Sequence, residues 1–341
     1  MAQAADNTAM RGEAVGKLFR AVSFPAPKEA AKLVLPLLAM ILAAAVDAAS
    51  PDIDPEGYVE RCYPLFMKAS IAVYLVCIAL SMWFEPVRRR FLKWYGLIIF
   101  GNLALCAYTL ATVKSGALEL PYFPSADKVI DAVFGHLDRT LLDLRCSLTL
   151  LLEGMLVGGI LGFIWGSLMG YSEAFDYWLN PIIKIIGPVP GIAWIVVALI
   201  LCPTNRIASI VIVASTTWFP LSVNLSGGIR SVPKAYIEHA QTLGASHFYI
   251  MRHVVYPYAL PNIFTGLFMA CCFSLTSLVA AEGLGVESGL GWRIGWAQSY
   301  LSFDVIYGTA IVFILMAFTL ITILFMFQKR FMKWSKEGIQ W

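Results

Sequence analysis

Residues 231–261 read SVPKAYIEHAQTLGASHFYIMRHVVYPYALP, a polar, helix-patterned insert between two long apolar runs. Ser231 and Pro233 form a helix start, because a serine oxygen can cap free N–H groups and proline is tolerated in a first turn. Tyr236, Ile237, Ala240 and Leu243 then recur at helical spacing, which leaves Lys234, Glu238 and Gln241 toward water. Gly244 suits the left-handed residue that ends a helix, and Ser246 can cap a second one carrying Phe248, Met251 and Val255. Pro257 and Pro261 close or kink that second helix. The expectation is two short helices hinged at a glycine, lying outside hydrocarbon.

The flanking runs set the class. Of 341 residues, 59% are hydrophobic and only 14% charged, with a mean hydropathy of +0.73. Such values lie outside the range of soluble domains and indicate an integral membrane protein. Windows long enough to cross about 30 Å of hydrocarbon fall near 33–49, 65–84, 96–113, 146–170, 185–202, 207–226, 262–282 and 306–328. These predict an all-α, polytopic helical bundle. The first run follows a polar stretch and lacks a clean small-residue cleavage site, so it reads as a retained span and not a signal peptide.

Charge sets the orientation. With a cytoplasmic N-terminus, the inner segments collect Arg11, Lys17, Arg20, Arg88 to Arg90, Arg230, Lys234, Lys329 and Arg330 among 17 of the 25 lysines and arginines. This positive-inside bias puts both termini and the 227–261 segment in the cytoplasm. The net charge of +3 is then an orientation signal, with no nucleic-acid footprint behind it. The seven cysteines include no C-x-x-C and behave as small apolar residues, with a Cys62–Cys146 disulfide conceivable on the outer side.

Residues 1–95 hold two spans joined by an acidic loop (Asp47, Asp52, Asp54, Glu56, Glu60) and end in EPVRRRFLKW, and they read as an added module. The outer loop at 114–145 carries a possible helix around 126–139. In the fourth span Gly154, Gly158, Gly162, Gly166 and Gly170 fall at successive i+4 positions. That stripe is a continuous shallow groove for another helix, with intramolecular packing favoured over a dimer seam.

Catalytic chemistry finds no support. There is no G-x-x-x-x-G-K-[ST] phosphate loop, so the chain lacks the means to hydrolyse ATP itself. Ser231-x-x-Lys234 matches a nucleophile pattern formally, yet it lies at a helix start without companion motifs. His239, His247 and His253 have no partners at metal-ligand spacing, so no metal site is expected. Glu153, beside the glycine groove, and Glu282, just before GLGVESGLGWRIG, are ionisable groups near membrane depth. With Ser274 and Thr276 they are candidates for a translocation path or its gate. The alternative is that both carboxylates reach water at the outer interface. The glycines from Gly283 to Gly295, with Trp292 and Trp296, suggest a bent outer loop with interfacial anchors.

Several motifs together resemble a known family. Glu238-x-Ala240-x-x-x-Gly244 with prolines at 257 and 261 is similar to the signature loop of binding-protein-dependent ABC importer permeases. GPVPGIAW at 187–194, TWFPLSVNLSGGIRSVP at 217–233, ALPNIFTGL at 259–267 and AAEGLGVESGLGWRI at 280–294 resemble its nitrate/sulfonate/taurine/bicarbonate branch, from about residue 96 to the C-terminus. The resemblance implies a type I permease core of six spans over 96–341, working as a pair, most simply a homodimer, in the bacterial inner membrane. It implies that Tyr236, Glu238, His239, Ala240, Gly244, Ala245 and Ser246 dock on a separate ATPase subunit, which binds ATP and magnesium. No cofactor belongs to this chain, and an extracytoplasmic binding protein delivers a small anionic or zwitterionic solute. His239 replaces the second alanine of the usual Glu-Ala-Ala run, and Tyr256 stands where leucine commonly precedes the proline. Two other classes make different demands. An ion-coupled secondary transporter needs deep carboxylates and paired broken helices, and a membrane enzyme needs a clustered nucleophile, base or metal set.

Overall fold

The computed structural model describes residues 27–49, 62–115, 117–118, 121–283 and 286–332. The acidic loop at Asp52 to Glu60, and Arg11, Lys17, Arg20, Lys333 and Lys336 of the charge pattern, lie outside the described residues. All regular structure among the described residues is helical. Among the described residues seven helices are long and apolar enough to cross a bilayer, and a bent helix pair makes an eighth crossing if counted as one span. By contact the chain forms two compact units that divide between Gly135 and His136.

The first unit contains α1 (Pro27–Ala49), α2 (Cys62–Trp83), α3 (Glu85–Thr109) and the short α4 (Ala126–Phe134). Helix α3 belongs with α1 and α2 by contact, so the unit runs well past residue 95. Arg88 Nε lies 3.4 Å from the Glu29 carboxylate, and the Tyr74 hydroxyl donates to the Leu33 carbonyl at 3.2 Å. The helix expected over 126–139 stops at Phe134. Its N-terminus is fixed by Ser125, whose hydroxyl accepts the Lys128 N–H.

The second unit begins with α5 (Leu137–Tyr171) and continues through α6 (Glu173–Ile186), a 3-10 turn (Gly191–Trp194) and α7 (Ile195–Leu201). It is completed by α8 (Asn205–Arg230), α9 (Lys234–Thr242), α10 (His247–Ile250), a π turn (Met251–Val255), α11 (Tyr256–Glu282), α12 (Leu290–Ser299) and α13 (Phe303–Phe331). Lipid gives helices no hydrophobic reason to associate, so close backbone packing must hold them. The glycine stripe supplies it. Gly154 meets Val213, Gly158 meets Ala214 and Thr217, Gly162 meets Leu221, Gly166 meets Leu225 and Gly170 meets Ile229. The numbers rise together, so α5 and α8 run parallel. A Cβ on Gly166 would come within 2.8 Å of the Ser222 carbonyl oxygen. The groove is thus filled from within the chain.

Helix α11 lies antiparallel against an adjoining face of α8, where Thr217 and Leu221 touch both α5 and α11. Gly228 meets Asn262 at one end and Ser209 donates to the Ala281 carbonyl at 2.8 Å at the other. Between them Thr217 and Ser274 share a hydrogen bond of 2.7 Å, and Thr216 and Ser277 one of 2.9 Å. Such interhelical bonds contribute about 0.6 kcal/mol each on average. They fix register, while glycine packing supplies proximity.

Two expected elements differ. A straight span over 185–202 does not form: α6 ends at Ile186, and the chain bends by 95° into the segment Gly191–Leu201. Pro188 and Pro190 lack N–H donors, so a helix cannot continue through GPVPG. The Phe219 ring of α8 fills the position where a Cβ on Gly187 would lie, and Gly191 packs on Ile212, Thr216 and Ser277. Nor do Pro257 and Pro261 close a second short helix. Residues His247–Glu282 run as one span, with Pro257 in the first turn of α11 and Pro261 inside it. The π turn before Pro257 makes continuity possible: the Tyr256 N–H reaches back to the Met251 carbonyl, widening the helix where the proline ring would clash.

Overpacking a tight contact costs about 1–3 kcal/mol. Gly158→Val is therefore expected to lower the thermal stability of the purified protein measurably. Gly159→Ala is the control, because nothing lies within 4 Å of a Cβ there. Equal melting temperatures for the two variants would contradict the α5–α8 contact.

Candidate functional site

The polar insert folds as the short helix α9 and the start of the His247–Glu282 span, joined at a left-handed glycine. Gly244 has φ +78°, and a Cβ there would meet open space, so conformation and not crowding selects glycine. The Ala245 N–H bonds to the Ala240 carbonyl and the Gly244 N–H to the Gln241 carbonyl, the paired bonds of a Schellman end. Ser246 caps α10 by accepting the Tyr249 N–H at 3.3 Å. Ser231 does not cap α9: it ends α8, and its hydroxyl donates to the Gly228 carbonyl at 2.7 Å. Pro233 occupies the position before α9.

The root of this segment is anchored. Val232, Ile250 and Val255 are buried with Leu225, Ile229 and Ala259, and Ile237, Ala240 and Ala245 pack against that cluster. Its outer surface is apolar and open, with Leu243 87% exposed, Phe248 74% exposed and Tyr236 also exposed. Of the four residues expected on one packed face, Ile237 and Ala240 pack, whereas Tyr236 and Leu243 do not. Glu238 and His239 are exposed, and the His239 Nδ1 lies 2.6 Å from the Ala235 carbonyl. Helix α9 therefore presents a mixed acidic and apolar surface on a rigid mount. Beside it, a cavity of about 450 Å³ is bounded by Ser167, Leu168 and Tyr171 of α5 and by Phe248, Met251 and Arg252.

At the other end of the unit, Glu282 is 1% exposed and so does not reach water. Its Oε2 accepts the Gly291 N–H at 2.6 Å, at the start of α12. Asp143, fully buried, accepts the Gly289 N–H at 3.2 Å, and the Ser147 hydroxyl accepts the Leu290 N–H at 2.8 Å. Three side chains from α5 and α11 thus satisfy the free donors of α12, where its dipole also favours negative charge. Gly289 has φ +145°, and a Cβ there would fall 2.6 Å from the Glu282 carboxyl carbon. Arg293 donates to Thr140 Oγ1 at 2.9 Å and lies 3.6 Å from Asp143. Burial draws its guanidinium below the ordinary arginine value, and the Asp143 charge opposes that shift. The expected bent loop is therefore half helix: Trp292 and Trp296 sit on α12.

The remaining candidates are dispersed. Glu153 is half-exposed and pairs with Arg206 of α8 at 2.8 Å. Ser274 is buried in the α8–α11 interface, whereas Thr276 is exposed and donates to its own helix at the Phe273 carbonyl. Cys146 holds a free thiol that accepts from Ser288, and the Cys62 side chain lies outside the described residues. Asp143, Arg293 and Arg230 do not stand out in the sequence as site residues. Only an acid and a base at the edges of apolar runs hint at them.

Residues 158–336 match the family described as "Binding-protein-dependent transport system inner membrane component". The chain is 30% identical over 267 residues to the taurine transport system permease protein TauC of Escherichia coli K12, covering 74% of this chain and 97% of that protein. It is 32% identical to the bicarbonate transport system permease protein CmpB of Synechococcus elongatus, covering 55% of this chain and 66% of that protein. A putative aliphatic sulfonates transport permease protein, SsuC of Bacillus subtilis, is 27% identical over 60% of this chain and 73% of its own length.

Removing one partner of a buried ion pair leaves an uncompensated charge and costs about 3–5 kcal/mol. Asp143→Ala should strip the start of α12 of an acceptor and remove the carboxylate beside Arg293, lowering thermal stability far more than Glu153→Ala at the half-exposed pair. Hydrogen exchange at α12 should rise in the first variant only. Unchanged α12 protection in Asp143→Ala would contradict the anchoring.

Proposed function

Because this chain belongs to the family of binding-protein-dependent transport system inner membrane components, we propose that it passes a small anionic or zwitterionic solute from an extracytoplasmic binding protein into the cell, driven by ATP hydrolysis in a separate subunit. The chain is the permease subunit of an ABC importer, a multi-span helical membrane protein and not itself an enzyme. Its relatives are named for taurine, bicarbonate and aliphatic sulfonates, all small and oxyanionic, and that shared chemistry supports the substrate class. The bacterial inner membrane, with both termini and α9 on the cytoplasmic side, fits the positive-inside charge pattern. A homodimer of this chain with two ATPase subunits, each binding ATP and magnesium, is the simplest assembly that uses one α9 per engine.

One observation carries the reading. Helix α9 exposes Tyr236, Glu238 and His239 beside the exposed Leu243 and Phe248, yet through Ile237 and Ala240 it packs on a buried cluster shared with α8 and α11 that includes Val232, Ile250 and Val255. A free amphipathic surface on a stiff mount transmits a displacement. Glu238, His239 and the Gly244 turn form the docking surface in this reading, and closure of the ATPase pair moves α8 and α11 between two packings. Access to the solute then alternates as a population shift. In this reading the span yields at the π turn and at Pro261, where the regular backbone ladder is interrupted.

Glu238→Arg reverses charge on the docking surface, and Gly244→Val forces a β-branched residue into a left-handed conformation that costs about 1–3 kcal/mol. In vesicles holding the complete complex, both should cut solute uptake at least about tenfold, the effect of about 1.4 kcal/mol in coupling. Membrane insertion and span folding should persist. Uptake equal to the parent, measured beside ATP hydrolysis, would count against the docking surface.

A further inference from the structure

The last residue of α8 ties together three helix ends. Arg230 Nη2 donates to the Met169 carbonyl at 2.7 Å, at the C-terminal end of α5. The same nitrogen lies 2.8 Å from Asp176 Oδ1, a buried atom in the first turn of α6. Each partner suits a cation. The last carbonyls of a helix have no intrahelical donors, and helix C-termini favour positive charge. Asp176 in turn sits at a helix N-terminus, where a carboxylate is favoured.

Three residues beyond Arg230 stands Pro233, and α9 follows directly. Val232, between them, is buried in the cluster at the root of α9. A displacement of α9 therefore reaches Arg230 within one short, anchored linker. On its other side, α6 is the first arm of the broken span, and its end is held under α8 by the Phe219 ring over Gly187. Helix α6, which packs along α5, thus meets α8 at both ends, by charge at the base and by ring contact at the bend.

We propose that Arg230 and Asp176 are positioning residues that carry the motion of α9 into the broken span, so that the segment Gly191–Leu201 changes its exposure as the ATPase subunits close. This rests on the ATP-driven reading above. With the pair intact α6 follows α8, and with it broken α8 moves while the bend lags behind. The ATPase subunits still dock, because the docking surface is untouched.

The test uses the complete complex in vesicles with Ile192→Cys, an exposed position just past the bend. Its thiol labelling rate is measured without nucleotide and with a non-hydrolysable ATP analogue, together with ATP hydrolysis and solute uptake. The parent should label at different rates in the two states. Arg230→Gln and Asp176→Asn should each erase most of that difference and lower uptake per ATP about fivefold or more, the lower range of a coupling free energy. The double variant should be no worse than either single one, and Arg230→Lys should recover part of the ratio. A merely structural pair would lower stability or subunit recovery without changing uptake per ATP. Retention of the nucleotide-dependent labelling in assembled Arg230→Gln and Asp176→Asn complexes would overturn the inference alone. A parent complex whose labelling ignores nucleotide would overturn the ATP-driven reading and the inference with it.

Discussion

Backbone-to-backbone approach between α5 and α8 is the constraint on which the second unit depends. In hydrocarbon, two leucine-covered helices gain little by touching, because lipid tails offer the same contacts. Five glycines at four-residue spacing remove side chains from one face of α5 and let α8 settle against it along their shared length. The parallel direction follows from which residues meet. With α5 and α11 packed on adjoining faces of it and touching each other, α8 becomes the central strut. The α9 segment, the Phe219 contact to the bend and the Arg230 clamp all grow from it.

The two ends of this strut are built differently, and the difference suits a machine driven from one side. At the α12 end, Asp143, Ser147 and Glu282 use their oxygens to cap a helix, with Arg293 compensating charge in a buried place. Every bond there joins groups that would be costly to separate, which favours a fixed platform. At the α9 end, the contacts are an apolar cluster, a π turn and one partly exposed guanidinium. Among the described residues no fully buried ion pair has to part for this end to move, so the α9 root, held together by its own apolar cluster, is the end able to shift as a unit.

Much of this is legible in the chain. The glycine stripe, the left-handed Gly244 and the Ser246 cap are local rules, readable because each depends on residues a few positions apart. The broken span escapes a hydropathy reading because 185–202 is apolar throughout, and hydropathy is blind to the donors that Pro188 and Pro190 lack. The prolines after α10 leave a closed or a kinked helix open, and a π turn there keeps the span unbroken. Tyr236 and Leu243 satisfy a helical period yet stay exposed, Tyr236 meeting the Tyr258 ring, since period alone does not say whether the partner surface is in the same chain. Asp143 and Arg293 stand far apart along the chain, and only the parallel and antiparallel pairing of α5, α8 and α11 brings their ends together.

The central claim is that α9 faces the cytoplasm and meets an ATPase subunit there. The most direct measurement is the reactivity of Leu243→Cys toward a membrane-impermeant thiol reagent, in right-side-out and inside-out vesicles, with and without the ATPase subunit. The account predicts reaction from the cytoplasmic face alone, and protection once the ATPase subunit is bound. Labelling from the exterior face, or labelling that the ATPase subunit leaves unchanged, would contradict it.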